Sequence, residues 1–222
     1  MAHFSHHSEE NYLKTLYNLG NKQVKKVNNI TLSKTLGLNP ATVLEMVRKL
    51  SAKKLVKVLP DKTIQLSENG KKRALLIIRK HRLWEVFLTE KLKYNWNEVH
   101  ILAEQLEHIE SEDMVDRLDA FLDYPPFDPH GDPIPDRNGH IKLNTSIPLS
   151  AVPKGKTYSV TNLVDTSDSF LQYLGKLNIR PGTRFKLSEH NDYDNSSTIV
   201  VQKKSVQLSE KAARNILVQP VG

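Results

Sequence analysis

The chain reads as a mainly α protein with a winged helix-turn-helix head, a helical middle and a small β-rich tail. Three observations carry that reading. Helix-period apolar residues in the first fifty positions are broken by Gly37-Leu38-Asn39 and followed at once by two short alternating runs. A longer helical block occupies residues 67–122, and beyond a proline-rich stretch the pattern turns into short β-like runs.

Ser8, followed by Glu9 and Glu10, makes a capped acidic helix start, and Tyr12, Leu13, Leu16, Tyr17 and Leu19 keep helical spacing until Gly20 stops it. Past the polar linker 21–29, residues 30–36 predict a short helix, Gly37-Leu38-Asn39 a tight turn, and Pro40 to about Lys53 a second helix. Asn39 is a good N-cap, and Pro40 sits in the first turn, where proline is tolerated. Val43, Met46, Val47 and Leu50 recur at helical spacing and belong to the core. Residues 55–59 and 63–66, joined by Pro60-Asp61-Lys62, form the ribbon expected of a wing. Helices are expected over 67–92, 97–109 and 111–122. Residues 124–153, with Pro125, Pro126, Pro129, Pro133, Pro135 and Pro148, read as an ordered but irregular connector. The runs 158–160, 184–187 and 198–201 around a helix at 167–177 fit a small barrel-like domain. Domains are therefore expected at 1–73, 74–147 and 148–222.

At 222 residues, 38% hydrophobic and 26% charged, the chain has enough apolar material for one medium and one small folded domain. No stretch approaches the roughly 20 apolar residues of a membrane span, and the amino terminus lacks the apolar centre of a secretory signal, so a cytoplasmic location is expected. His3, His6 and His7 fall in a terminus expected to be disordered and are assigned no function. There is no cysteine, which excludes disulfides, thiolate metal sites and cysteine nucleophiles and leaves oxygen and imidazole as metal donors. The net charge of +7 is uneven: residues 21–82 are dense in Lys and Arg, residues 98–132 in Asp, Glu and His. That asymmetry suits a basic half facing DNA and an acidic half facing a cation, or simply solvated faces.

In a helix-turn-helix the amino-terminal residues of the second helix meet base edges. Asn39, Ala41, Thr42 and Glu45 take those positions, and Lys34, Arg48, Lys49, Lys53, Lys54, Lys57 and Lys62 are candidates for phosphate contacts. The same motif also serves protein interaction, so the pattern alone leaves both uses open, and the basic wing favours DNA.

Glu104, Glu107 and His108, at i, i+3 and i+4, would share one helical face. Two close carboxylates repel, and a divalent cation relieves that repulsion, with the imidazole tuning the site toward manganese or iron rather than calcium. Taken alone such a run is usually a solvated face. His81 and Glu85 lie four residues apart on the preceding helix, and His100 lies one turn before Glu104. Asp128-Pro129-His130 adds donors in the connector, where proline restricts the backbone, unless these are incidental polar residues of a turn.

The segments Ser8-Glu9-Glu10-Asn11-Tyr12-Leu13-Lys14, Arg79-Lys80-His81-Arg82-Leu83-Trp84-Glu85-Val86-Phe87-Leu88, Glu104-Gln105-Leu106-Glu107-His108 and Pro129-His130-Gly131-Asp132-Pro133-Ile134-Pro135 together resemble the diphtheria toxin repressor family. Within it they resemble the manganese transport regulators that carry a carboxy-terminal domain, in order along nearly the whole chain. The resemblance implies a helical dimerisation domain in the middle. It also implies a Src-homology-3-like (FeoA-type) tail, carried here by Leu171, Leu174, Leu177, Ile179 and Arg180-Pro181-Gly182. It implies a homodimer that binds a palindromic operator on double-stranded DNA with metal as corepressor, represses metal-uptake genes, and has no enzymatic activity or small-molecule substrate. Its primary metal site would fall on Asn11, Glu104, Glu107 and His108. Its second would fall on His81, Glu85, Asp128, His130 and Asp165, and His100 matches a ligand of the iron-responsive branch. Asn11 stands where manganese regulators usually carry aspartate. Glu104 stands where the iron-responsive branch has cysteine, which ranks Mn2+ first and Fe2+ second. The rivals are a metal-independent winged-helix regulator sensing an organic ligand, and a metallohydrolase, against which stands the lack of a spare general base.

Overall fold

The computed structural model describes residues 2–21, 24, 26–142 and 145–221. They pack as two compact units, the first made of Met1–His81, Glu104–Asp116 and Pro135–Ile141, the second of Arg82–Ala103, Arg117–Ile134 and Lys142–Gly222.

In the first unit, helix α1 (Ala2–Asn21) begins six residues before the expected start, so Ser8 lies inside it and does not cap it. Residues 2–7 contain neither glycine nor proline to stop the helix, and the expectation of a disordered terminus is corrected accordingly. Helix α2 (Asn29–Leu36) starts at Asn28, whose side-chain oxygen accepts the Thr31 N–H at 3.0 Å, and ends at Gly37 in the left-handed region. Helix α3 (Pro40–Ala52) is capped by Asn39, whose side chain accepts the Ala41 N–H at 2.8 Å. Strands β1 (Val56–Val58) and β2 (Ile64–Leu66) pair antiparallel with Val58 opposite Ile64, and form the wing. One core joins them: Tyr12, Leu13 and Leu16 of α1 meet Leu32, then Val43, Val47 and Leu50 of α3, then Val56 and Ile64 of the wing. Helix α4 (Glu68–Glu90) enters that core close to the wing. A Cβ on its Gly70 would stand 1.9 Å from the Leu55 carbonyl oxygen, so only glycine permits this approach.

Helix α4 continues unbroken past His81, where the second unit begins, and is followed by α5 (Val99–Leu106) and α6 (Glu112–Phe121). The second unit then builds an antiparallel sheet from β3 (Ile147–Pro148), β4 (Thr157–Leu163), β5 (Arg184–His190), β6 (Ser197–Val201), β7 (Lys204–Leu208) and β8 (Ile216–Pro220), in the spatial order β3-β8-β4-β5-β6-β7. Helices α7 (Asp168–Lys176) and α8 (Glu210–Asn215) complete it. Alternation puts Ser197, Ile199 and Val201 of β6 inward, and Tyr158, Val160, Leu174, Phe185, Leu187 and Val218 share the same core. Pairing of β4 with β8 shifts between Val160 and Asn162, so Thr161 bulges out of the ladder. The sequence reading anticipated β4, β5, β6 and α7 but not β3, β7, α8 or β8. Lys204-Ser205-Val206-Gln207-Leu208 is mostly polar, and β8 follows α8 with no turn residue between them. Among the described residues no helix is long and apolar enough to cross a membrane.

Candidate metal centre and nucleic-acid interface

Within the second unit Glu85, Asp128 and His130 each bring a donor atom within 4.8 Å of the others, all three buried. Glu85 comes from α4, and the other two from a tight turn in the proline-rich connector. That turn is built by Asp128 itself, whose Oδ1 accepts the N–H groups of His130 at 2.8 Å and Asp132 at 3.0 Å. Gly131 has φ +88°, and a Cβ there would meet the carbonyl oxygen of the bulged Thr161 at 2.0 Å. The His130 carbonyl accepts the Leu163 N–H at 3.1 Å, which ties the turn to β4. The His130 ring stacks on Trp96 and its Nε2 donates to the Trp96 carbonyl at 2.8 Å, leaving Nδ1 facing Glu85 Oε2 at 3.7 Å. Arg82 Nε lies 3.4 Å from Asp128 Oδ2, and the more exposed His100 places Nδ1 3.3 Å from Glu85 Oε1.

Burial, then the charge of Glu85, raises the Asp128 carboxyl to about 7. Burial alone would lower His130, but its hydrogen bond to Glu85 and the nearby carboxylates outweigh that and raise it to about 9. Two buried carboxylates this close, one of them raised by the charge of the other, suit a divalent cation, and oxygen with one imidazole matches manganese or ferrous iron. Asp165, expected with this set, accepts the Ser167 N–H at 2.9 Å just before α7 and is not among the three that converge.

The first unit gathers a different set. Helix α5 ends at Leu106, so Glu107 and His108 lie in the turn after it and do not continue its face as the sequence reading expected. Glu107 has no solvent exposure and is held by Lys14 Nζ and His81 Nδ1, each at 2.5 Å. Burial works to raise its carboxyl, but the His81 hydrogen bond and the Lys14 charge bring it below the ordinary value. Glu104, about half exposed, lies 3.6 Å from the same Lys14 ammonium. His108 Nδ1 contacts Glu10 Oε2 at 2.7 Å, and Lys80 Nζ stands 3.7 Å from Glu10 Oε1.

Helix α1 thus presents Glu10 and Lys14 to this cluster, while Asn11 is exposed. The sequence reading missed both. Glu10 is buried and Lys14 follows it four residues later in the same row of the helix, whereas Asn11 and Asn18 fall on the exposed side, opposite Tyr12, Leu13 and Leu16. Among the described residues Glu104, Glu107 and His108 do not close on one point as Glu85, Asp128 and His130 do.

On the head, Ala41, Thr42, Leu44, Glu45 and Arg48 of α3 are exposed, as are Lys34, Lys54, Lys57 and Lys62. Asn39 commits its side-chain oxygen to the helix cap. Lys49 and Lys53 reach back to the buried Glu9 of α1, Nζ to Oε1 at 2.9 and 2.7 Å. Burial opposes the charge on Glu9, but those two ammonium groups prevail and lower its carboxyl. Two of the expected phosphate contacts therefore serve first as internal ion pairs that fasten α3 to α1.

Comparison with known proteins matches residues 5–64 to the iron dependent repressor N-terminal DNA binding domain, 67–136 to the iron dependent repressor metal binding and dimerisation domain, and 147–220 to the FeoA domain. The iron-dependent repressor IdeR of Mycobacterium tuberculosis is 35% identical over 126 residues, 57% of this chain and 54% of that protein, so the match spans about half of its length. The diphtheria toxin repressor of Corynebacterium diphtheriae is 28% identical over 221 residues, covering 95% of this chain and 96% of the relative. A solved manganese-dependent transcriptional repressor in complex with manganese superimposes with a TM-score of 0.85 at 31% identity, covering 96% of this chain and 100% of that one. With all three domains matched in order and a solved relative aligned end to end, the chain belongs to the diphtheria toxin repressor family of metal-dependent transcriptional repressors.

Proposed function

We propose that this chain is a manganese-responsive repressor that binds a palindromic operator as a homodimer, with iron the second choice of metal. The observation that carries this reading is the buried Glu85–Asp128–His130 set, an arrangement costly without a cation, on a chain whose head exposes a helix-turn-helix. The solved manganese-dependent repressor named above supports the choice of metal, as does the absence of cysteine.

Two sets of residues would hold metal. The first is Glu104, Glu107 and His108 with Glu10 or Asn11 from α1, and His81, engaged with Glu107, belongs with it. The second is Glu85, Asp128 and His130, with His100 on Glu85 and Asp165 as the tail's contribution. A bound divalent cation supplies positive charge where these carboxylates repel. The rest is done by the chain's own contacts: Lys14 joins Glu107 to α1, and Glu9, earlier on α1, grips Lys49 and Lys53 of α3. Charge at Glu107 is thereby felt by the helix that meets DNA, and in a dimer this sets the orientation of two heads toward two half-sites.

The test is fluorescence anisotropy of a labelled promoter fragment from a metal-uptake gene, titrated with chelated protein and then with manganese, anaerobic ferrous iron or zinc. A manganese-selective gain in affinity is expected. Equal binding in every state would point to a metal-independent regulator and end this reading.

A further inference from the structure

The exposed side of α3 has an unusual chemical make-up for a helix presented to DNA. Ala41 and Thr42 offer methyl groups and a hydroxyl, Leu44 is an exposed branched apolar side chain, and Glu45, one turn after Ala41 in the same row, is an acceptor-only group. The amide that would read adenine, Asn39, spends its side-chain oxygen on the Ala41 N–H. Lys49 and Lys53 are turned back to Glu9. Arg48 is exposed but sits almost a turn further from the amino-terminal end that enters the groove. Glu45 is therefore the polar side chain with reach and freedom in the first two turns, and among the described residues it has no ion-pair or hydrogen-bond partner.

A carboxylate beside a polyphosphate backbone costs affinity for every DNA sequence. It returns something only where a base edge offers a hydrogen. In the major groove the donors are the amines of cytosine and adenine. Adenine's amine lies between two acceptors, its own N7 and the O4 of the paired thymine, which repel a carboxylate; cytosine's amine has the paired guanine O6 on one side but only the C5–H on the other. Guanine and thymine offer no donor there at all. Charge and hydrogen-bond pattern thus both select cytosine.

We propose that Glu45 determines operator sequence by accepting a hydrogen bond from the exocyclic amine of one cytosine in each half-site. This rests on the reading of the chain as a DNA-binding repressor and adds the base that its recognition helix selects. Arg48, three residues on in the same helix, and the exposed Lys34, Lys57 and Lys62 of the same unit offset the repulsion between Glu45 and the phosphates.

The experiment is selection from a random-sequence duplex library by manganese-loaded full-length protein, run in parallel for the parent, Glu45→Ala and Glu45→Gln. Glu45 is exposed, so both variants should fold, and circular dichroism checks that they do. The parent is expected to recover half-sites with one invariant cytosine. Glu45→Ala is expected to lose about tenfold discrimination at that position alone. Glu45→Gln is expected to shift it toward adenine, whose edge a glutamine amide matches. Two results would overturn the proposal: the same base recovered by all three proteins, or uniformly tighter binding by both variants with no change of base, which would make Glu45 a charge and not a reader. If none of the three enriches any sequence, the DNA-binding reading itself fails and the proposal goes with it.

Discussion

Lys14 Nζ stands 2.5 Å from Glu107 Oε1, and that carboxylate has no contact with solvent. A charge so placed depends on its partners, because removing one of them leaves the other buried and uncompensated. Lys14→Met keeps most of the side-chain volume and deletes the charge. In chelated protein it is expected to lower stability by about 3 kcal/mol in urea unfolding, and Lys14→Arg to retain most of it. A methionine variant as stable as the parent would mean that His81 alone suffices for Glu107.

The turn that holds Asp128 and His130 depends on Gly131. An alanine there meets the Thr161 carbonyl and is forced to a positive φ. Gly131→Ala should cost about 2 kcal/mol or more and weaken manganese binding to the second set, read by thermal melting and equilibrium dialysis. Unchanged dialysis would show that the turn does not place these donors.

Asp128 and His130 both have their folded values raised, from 3.8 to about 7 and from 6.5 to about 9. Each then favours the folded state most below its unfolded value, and the advantage fades as pH climbs through the folded one. In the presence of chelator, melting temperature should fall between about pH 4 and 7 from Asp128 and between about pH 6.5 and 9 from His130. Asp128→Asn should flatten the lower limb. A profile that is flat in the parent contradicts the burial of this charge cluster.

Glu104 is about half exposed and pairs weakly with Lys14, so Glu104→Ala should change stability by less than about 0.5 kcal/mol. Manganese titration should nonetheless show at least a tenfold weaker first site, with the second intact. The reverse pattern, a normal first site in Glu104→Ala, would remove Glu104 from the ligand set.

Salt dependence separates the lysines. Lys57→Ala or Lys62→Ala, on the exposed wing, should lower the slope of log affinity against log salt by about 0.9 each. Lys49→Ala should instead loosen α3 from α1 through Glu9, and appear mainly as a loss of stability. Equal slopes for all three variants would place Lys49 on DNA as well.

Local chemistry made the head legible. Asn39 caps the helix that its position announces, Gly37 takes the left-handed turn, and the wing follows at the expected distance, whereas Asn28, read as part of a linker, turns out to cap the preceding helix. These features are decided within a few residues by backbone conformation and capping. The tail was only partly legible: β6 is a β-branched run, Thr198-Ile199-Val200-Val201, whereas β7 gains its place from pairing with β6 across the turn at Gln202 and Lys203, which no local pattern signals.

The residue types of the site were readable by themselves: carboxylates and histidines in a chain without cysteine, at spacings that suit a cation. Their partners were not. That Glu10 and not Asn11 meets His108, that His81 faces Glu107, that Lys49 and Lys53 turn back to Glu9, and that Asp128 and His130 reach Glu85 all join residues far apart in the chain. Composition and spacing set which atoms could bind a cation or a base edge. Only packing, which costs dearly when a charge is buried alone, decided which of them stand together.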